Sequence, residues 1–145
     1  MKFDSFLKIN EIKLSKETWK FTCPCCGFPT LSERGGYDIC ILCNWEDDGQ
    51  DDKDADAVLG GPNGDLSLTQ ARDNFQKFSS SGGKATHDDP YSEVKDGLIG
   101  YFHELLSKKP STELINKIDG CLKEYYAIMD KEHKKYEESF KKKSS

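Results

Sequence analysis

Cys23-Pro24-Cys25-Cys26-Gly27 and Cys40-Ile41-Leu42-Cys43, with thirteen residues between Cys26 and Cys40, carry the strongest structural signal in the chain. A Cys-x-x-Cys turn places two sulfurs on one side of a tight loop, about as far apart as two corners of a tetrahedron. Two such turns supply all four corners. Gly27 suits a knuckle of this kind, in which backbone amides turn toward the thiolates and offset their charge. With four thiolates the coordination shell is closed, which marks the site as structural rather than catalytic. The spacing therefore predicts one zinc ion per chain on Cys23, Cys26, Cys40 and Cys43. Zinc is favoured over iron, which also accepts four thiolates in this geometry. Cys25 lies between ligands, either as a surface thiol or as a competing ligand. Cys121 falls on a helical stripe and reads as a small core residue.

Between the two cysteine pairs, Leu31 precedes Glu33-Arg34-Gly35-Gly36, a turn signal, and Tyr37-Asp38-Ile39-Cys40-Ile41 alternates after it. This pattern predicts a β-hairpin joining the two knuckles. An acidic run follows: Glu46, Asp47, Asp48, Asp51, Asp52, Asp54 and Asp56 against the single Lys53. Asp51, Asp54 and Asp56 lack the residue order of a calcium loop, so the run reads as a solvated acidic loop or docking face. Gly60-Gly61-Pro62-Asn63-Gly64 is a structural turn, in which Pro62 presets one backbone angle while Asn63 and Gly64 tolerate positive φ. Ser67 and Gln70 form a capping box that opens a helix carrying Leu68, Ala71, Phe75 and Phe78, and Arg72 is placed to pin it to the acidic run. Ser79-Ser80-Ser81-Gly82-Gly83 ends that helix.

The last third is helical. Asp89-Pro90 reads as an N-cap with proline at the first helical position. Val94, Leu98, Phe102 and Leu105 form one apolar stripe. After the break at Pro110-Ser111, Leu114, Ile118, Cys121, Leu122, Tyr125 and Met129 form a second, predicting an αα-hairpin. Beyond Lys131 the stripe thins to Tyr136 and Phe140 and the end is expected to fray. Residues 1–20 fit a short helix or a strand equally. The fold class is thus α+β, a small zinc ribbon followed by helices. Its domains are 1–80 for the ribbon with its N-terminal segment, and 88–145 for the helical extension.

Composition narrows the function. The 145 residues are 35% hydrophobic and 32% charged, a modest core that a metal staple would supplement. Net charge is −5, and only Arg34 is basic between the two cysteine pairs, which argues against nucleic acid as a partner. The N-terminus lacks an apolar run of signal-peptide length, and no stretch approaches a membrane span. The expected compartment is the cytoplasm, where thiols stay reduced. His87, His103 and His133 are scattered, and no GxSxG, HExxH or glycine-rich nucleotide motif is present.

The ordered set Cys23-Pro24-Cys25-Cys26-Gly27, Tyr37-Asp38-Ile39-Cys40, Cys43, Trp45-Glu46-Asp47-Asp48-Gly49-Gln50 and Asp54-Ala55-Asp56 resembles the bacterial cysteine-rich CPCC family. So do Gly60-Gly61-Pro62-Asn63-Gly64 and the stretch from Leu66 to Phe75. The resemblance covers about residues 21–80, with Asn44 standing where an apolar residue is expected. It implies a small zinc-ribbon-like protein and supplies no activity, although some members look like parts of toxin–immunity neighbourhoods.

These readings converge on a protein-binding module rather than an enzyme. Trp45, Glu46, Asp47, Asp48, Asp51 and Asp52 are the expected contact residues for a basic protein partner. An immunity protein masking a basic toxin is the concrete form. The alternatives are a zinc-ribbon nucleic-acid binder and a metal-dependent hydrolase using Asp47, Asp48 or Asp51.

Overall fold

The computed structural model describes residues 21–84, 88–107 and 111–143. The expectations for residues 1–20, His87 and Pro110 fall outside them. The chain divides into two compact units, Met1–Asp88 and Asp89–Ser145.

In the first unit, strands β1 (Phe21–Thr22) and β2 (Pro29–Leu31) pair antiparallel, with Phe21 opposite Leu31 and Thr22 opposite Pro29 across a bulge. The first knuckle forms the tip between them. The Cys23 amide donates to the Phe28 carbonyl and the Gly27 amide to the Cys23 carbonyl, both at 2.9 Å. The second knuckle repeats this wiring. The Cys40 amide donates to the Trp45 carbonyl and the Asn44 amide to the Cys40 carbonyl, again at 2.9 Å. Gly27 (φ +79°) and Asn44 (φ +68°) therefore occupy the same left-handed corner of two equivalent turns. Asparagine tolerates that corner far better than a bulky apolar residue does, which accounts for Asn44.

The hairpin expected between the knuckles is replaced by one around each. Leu31 pairs back with Phe21, and Ile39 bridges forward to Glu46. Four sulfurs converge only if each Cys-x-x-Cys sits at a hairpin tip aimed at the other. The Glu33–Gly36 turn still joins the two halves, held where the Ser32 amide and hydroxyl donate to Asp38 Oδ2.

Helix α1 (Leu68–Phe78) begins at the capping box expected from sequence. Ser67 Oγ accepts from the Gln70 amide at 3.1 Å, and Gln70 Oε1 accepts from the Ser67 amide at 2.9 Å. Leu68 and Ala71 are buried, as are Phe28, Leu31, Leu42, Trp45 and the cysteines of the two knuckles. Phe75 meets Phe28 edge-on, ring centroids 6.2 Å apart. The helix also reaches both knuckles through polar contacts. Arg72 Nε donates to the Pro24 carbonyl at 2.8 Å, and past the helix end the Ser81 amide donates to the Cys43 carbonyl at 2.8 Å. Within Gly60–Gly64, Gly60, Gly61 and Gly64 take positive φ, whereas Asn63 sits in a short 3-10 turn. Its side chain acts as a strand partner, accepting from the Glu46 amide at 3.1 Å and donating to the Glu46 carbonyl at 2.8 Å.

In the second unit, α2 (Ser92–Ser107) packs on α3 (Thr112–Lys143). Val94, Leu98, Phe102 and Leu105 are buried, as are Leu114, Ile118, Leu122 and Tyr125. This is the expected αα-hairpin. The helices approach closely where Gly97 faces Cys121, since a Cβ on Gly97 would lie 3.5 Å from its sulfur. Helix α2 starts at Ser92, later than the Asp89-Pro90 signal. Asp89 instead organises the preceding turn, accepting from the Tyr91 and Ser92 amides. Helix α3 runs unbroken to Lys143, past the point where fraying is expected. Among the described residues, no helix is long and apolar enough to cross a membrane.

Candidate metal centre

The sulfurs of Cys23, Cys26, Cys40 and Cys43 all lie within 4.8 Å of one another, and all four residues are buried. Cys23 Sγ is 3.6 Å from Cys43 Sγ, and Cys26 Sγ is 3.7 Å from Cys40 Sγ. Metal–sulfur bonds of about 2.3 Å give a tetrahedron with edges of about 3.8 Å, so these separations fit one ion at the centre. They are far too long for disulfide bonds of about 2.05 Å. Donors from the surrounding chain point at the sulfurs. The Cys25 amide lies 3.4 Å from Cys23 Sγ, the Cys43 amide 3.5 Å from Cys40 Sγ, and the Trp45 amide 3.5 Å from Cys43 Sγ. The buried Thr30 hydroxyl is 3.0 Å from Cys40 Sγ.

Four thiolates cannot crowd together in a buried site without a cation. Burial pushes the Cys23, Cys26 and Cys43 thiols well above the ordinary thiol range. Burial acts on Cys40 in the same sense, but hydrogen bonds from Cys23, Cys26, Cys43 and Thr30 outweigh it and hold Cys40 well below that range. A cluster of buried thiols whose protons are held mainly by burial exchanges those protons for a metal ion when one binds.

Residues 21–91 match the family model described as cysteine-rich CPCC. This part of the chain belongs to the cysteine-rich CPCC family. No curated protein and no solved structure matches the chain.

The middle cysteine of the CPCC motif, Cys25, is fully buried, which removes the surface-thiol reading. It is not among the four converging sulfurs. Its hydrogen bond with Cys43 pulls its thiol down, but burial and the neighbouring Cys23 and Cys40 outweigh this and leave it raised. It therefore stands as a neutral thiol beside a ligand.

Thr30 is the site residue that sequence reasoning missed, because a strand threonine shortly past the knuckle carries no signal of its own. Thr30→Val keeps the shape and removes the hydroxyl beside Cys40. It is expected to weaken metal binding about 10-fold or more, as loss of an outer-shell partner commonly does. Competition with a chromophoric chelator checks this.

The CPCC segment splits the acidic residues that sequence assigned to one contact face. Trp45 and Asp47 are both 0% exposed and cannot touch a partner, which corrects that assignment. The cause is strand-like alternation along residues 45–48: Trp45 and Asp47 turn inward and are buried, while Glu46 and Asp48 are half-buried on the other face. Asp47 accepts from Arg34 Nε at 3.0 Å, from the Gly35 amide at 2.7 Å and from the Gly49 amide at 3.2 Å. Arg34 Nη2 also reaches Asp51 at 2.9 Å. Burial works against the Asp51 carboxylate, but the Asp52 amide and Arg34 outweigh it and hold the carboxyl below its usual range. Asp51 and Asp54 form a capping box for a 3-10 turn, and exposed Asp52 pairs with Arg72 at 2.6 Å.

Arg34→Ala leaves the buried Asp47 carboxylate without its cation and is expected to destabilise this unit by about 2–3 kcal/mol. The two backbone amides on Asp47 temper the loss. Arg34→Lys recovers only part of it, because an ammonium does not reproduce the fork that spans two carboxylates. Denaturant melts of the metal-loaded protein measure both.

Proposed function

We propose that the protein is a zinc-stabilised binding module that docks a basic protein through the outer face of its second hairpin. An immunity protein neutralising a basic toxin would be one such case. The observation that carries this reading is the pairing of two exposed apolar side chains with two half-buried carboxylates. Tyr37 and Ile39 are each 59% exposed, Ile39 lies directly across the bridge from Glu46, and Asp48 follows on the same alternation. Tyr37 also sits at φ +63°, with its amide donating to the Asp47 carbonyl. A bulky residue there costs about 1–2 kcal/mol, and strain of this kind tends to persist where a side chain must be presented.

An apolar anchor rimmed by carboxylates suits a basic surface, where the charges speed encounter and the side chains give residence time. Acid at this face disfavours phosphate backbones. The closed thiolate set, together with Asp47 and Asp51 held by Arg34, favours binding over metal-assisted hydrolysis. For the metal, the all-thiolate tetrahedral donor set favours zinc.

Capture from host cells with wild type and with Glu46→Lys/Asp48→Lys tests the reading. A basic partner retained by wild type and weakened at least 10-fold by the reversal is expected. Absence of any stable partner, or one indifferent to the reversal, would overturn it. Elemental analysis should find one zinc per chain, and a stoichiometric iron content would replace zinc in this account.

A further inference from the structure

Asn63 is the one asparagine of the chain that is followed by glycine. That pair carries a chemistry of its own. The glycine nitrogen, with no side chain beside it to hinder approach, can attack the asparagine side-chain carbon and close a cyclic imide. Gly64 is open to such a reaction. It is exposed, its φ is +60°, and nothing lies within 4 Å of where a Cβ would stand.

In the folded chain both reacting groups are tied. The Asn63 carboxamide is clasped on the backbone of Glu46, its Oδ1 accepting from the amide at 3.1 Å and its Nδ2 donating to the carbonyl at 2.8 Å. Asn63 ends the 3-10 turn Gly61–Asn63, and the Gly64 amide donates back to the Gly61 carbonyl at 3.1 Å. That turn points the Gly64 nitrogen away from Asn63 Cγ, so ring closure needs rotation of the Asn63 backbone and release of its side chain. Glu46 is fixed in turn by the second knuckle. On one side of it the Trp45 carbonyl accepts from the Cys40 amide, and on the other the Asp47 carbonyl accepts from the Tyr37 amide, both at 2.9 Å. The clasp therefore holds only while the knuckle carrying Cys40 and Cys43 is formed.

We propose that Asn63 is a self-modification site gated by the metal, kept as the amide in the loaded protein and converted to the acid once the ion is lost. The proposal rests on the metal-stabilised reading of the CPCC segment. When the knuckle opens, the Gly64 backbone nitrogen gives its proton to solvent and bonds to Asn63 Cγ, and the Cγ–Nδ2 bond breaks as ammonia leaves. Water then opens the imide at either carbonyl, leaving an aspartyl or an isoaspartyl linkage. Amide and water become acid and ammonia, so the step needs no oxidant. The product cannot rebuild the clasp, because a carboxylate has no hydrogen to donate and meets the Glu46 carbonyl as a second acceptor. Loss of the ion thereby becomes a lasting covalent change that disfavours reloading.

Mass spectrometry of the peptide containing Asn63 tests this, on the full-length chain kept reduced at one pH and temperature. Metal-loaded, chelated and urea-denatured samples are compared. Conversion should run about 10-fold or more faster in the chelated chain than in the loaded one, approaching the rate in urea. Gly64→Ala should suppress it in the chelated chain, which assigns the nucleophile. In chelator competition Asn63→Asp should hold the metal about 10-fold more weakly than wild type. Hydrogen exchange on the chelated sample separates this proposal from the reading beneath it. Amides of residues 21–84 that lose protection while Asn63 stays as durable as in the loaded chain would overturn the proposal alone. Protection and Asn63 both surviving chelation would overturn it together with the metal-stabilised reading. Conversion as fast in the loaded chain as in urea, undiminished conversion in Gly64→Ala, or undiminished metal binding by Asn63→Asp each overturns it as well.

Discussion

Chelating the metal is expected to unfold the CPCC segment. The regular structure of that unit is slight: strands of two and three residues, two 3-10 turns and one helix of eleven residues. Its buried apolar side chains are few, Phe28, Leu31, Leu42, Trp45, Leu68 and Ala71 beside the buried cysteines. A structural zinc ion in a small module contributes about 10–16 kcal/mol of apparent binding free energy at neutral pH. Whole domains are stable by only about 5–15 kcal/mol, so removing the ion exceeds what the remaining contacts can hold. Cys26→Ser or Cys40→Ser should have the same effect, since three thiolates leave an open corner. Hydrogen exchange on the chelated protein is the direct measurement, with protection of amides in residues 21–84 expected to collapse. Among them the Cys23, Gly27, Cys40 and Asn44 amides, which close the knuckles, are the most telling. Full protection after chelation would show that packing alone holds the ribbon.

Metal affinity should rise steeply with pH. Burial raises the thiols of Cys23, Cys26 and Cys43. Binding a metal requires all four to be deprotonated, so protons compete with the ion. The sign follows from that competition: affinity increases as pH rises toward the ordinary thiol range and falls in acid. Several protons leave per ion, so affinity changes by orders of magnitude per pH unit. If the apo segment unfolds, all four thiols sit near an ordinary pKa of about 8.5 and about four protons leave. Calorimetry in buffers of different ionisation enthalpy counts the released protons. Affinity that is flat between about pH 6 and 8 would contradict this picture of the site.

Much of this protein is legible in one dimension because some signals are local. The Cys-x-x-Cys turns need only a few residues to orient two sulfurs, so spacing alone identifies Cys23, Cys26, Cys40 and Cys43. The capping box at Ser67 and Gln70 closes through hydrogen bonds three residues apart, and the stripes of α2 and α3 follow helical periodicity. Asn44 shows the limit of pattern matching. Read by position it departs from expectation, while its φ of +68° shows a turn that asks for asparagine or glycine.

Features that depend on residues distant in the chain emerge only on folding. Strand pairing is one: Leu31 faces two apparent partners in sequence, and convergence of the sulfurs selects Phe21 over the strand after the turn. The acidic run is another. Net charge is blind to direction, so alternation along residues 45–48 and the reach of Arg34 and Arg72 determine which carboxylates are structural and which stay partly exposed. Thr30 and Asn63 gain their roles only when folding brings them to Cys40 and Glu46. The four ligands, the helices and the acidic balance are thus written in the amino-acid order, because they rest on short-range spacing and composition. The hairpin pairing, the buried state of Cys25 and the division of the acidic run belong to the folded chain, because each depends on long-range contacts around the cysteine cluster.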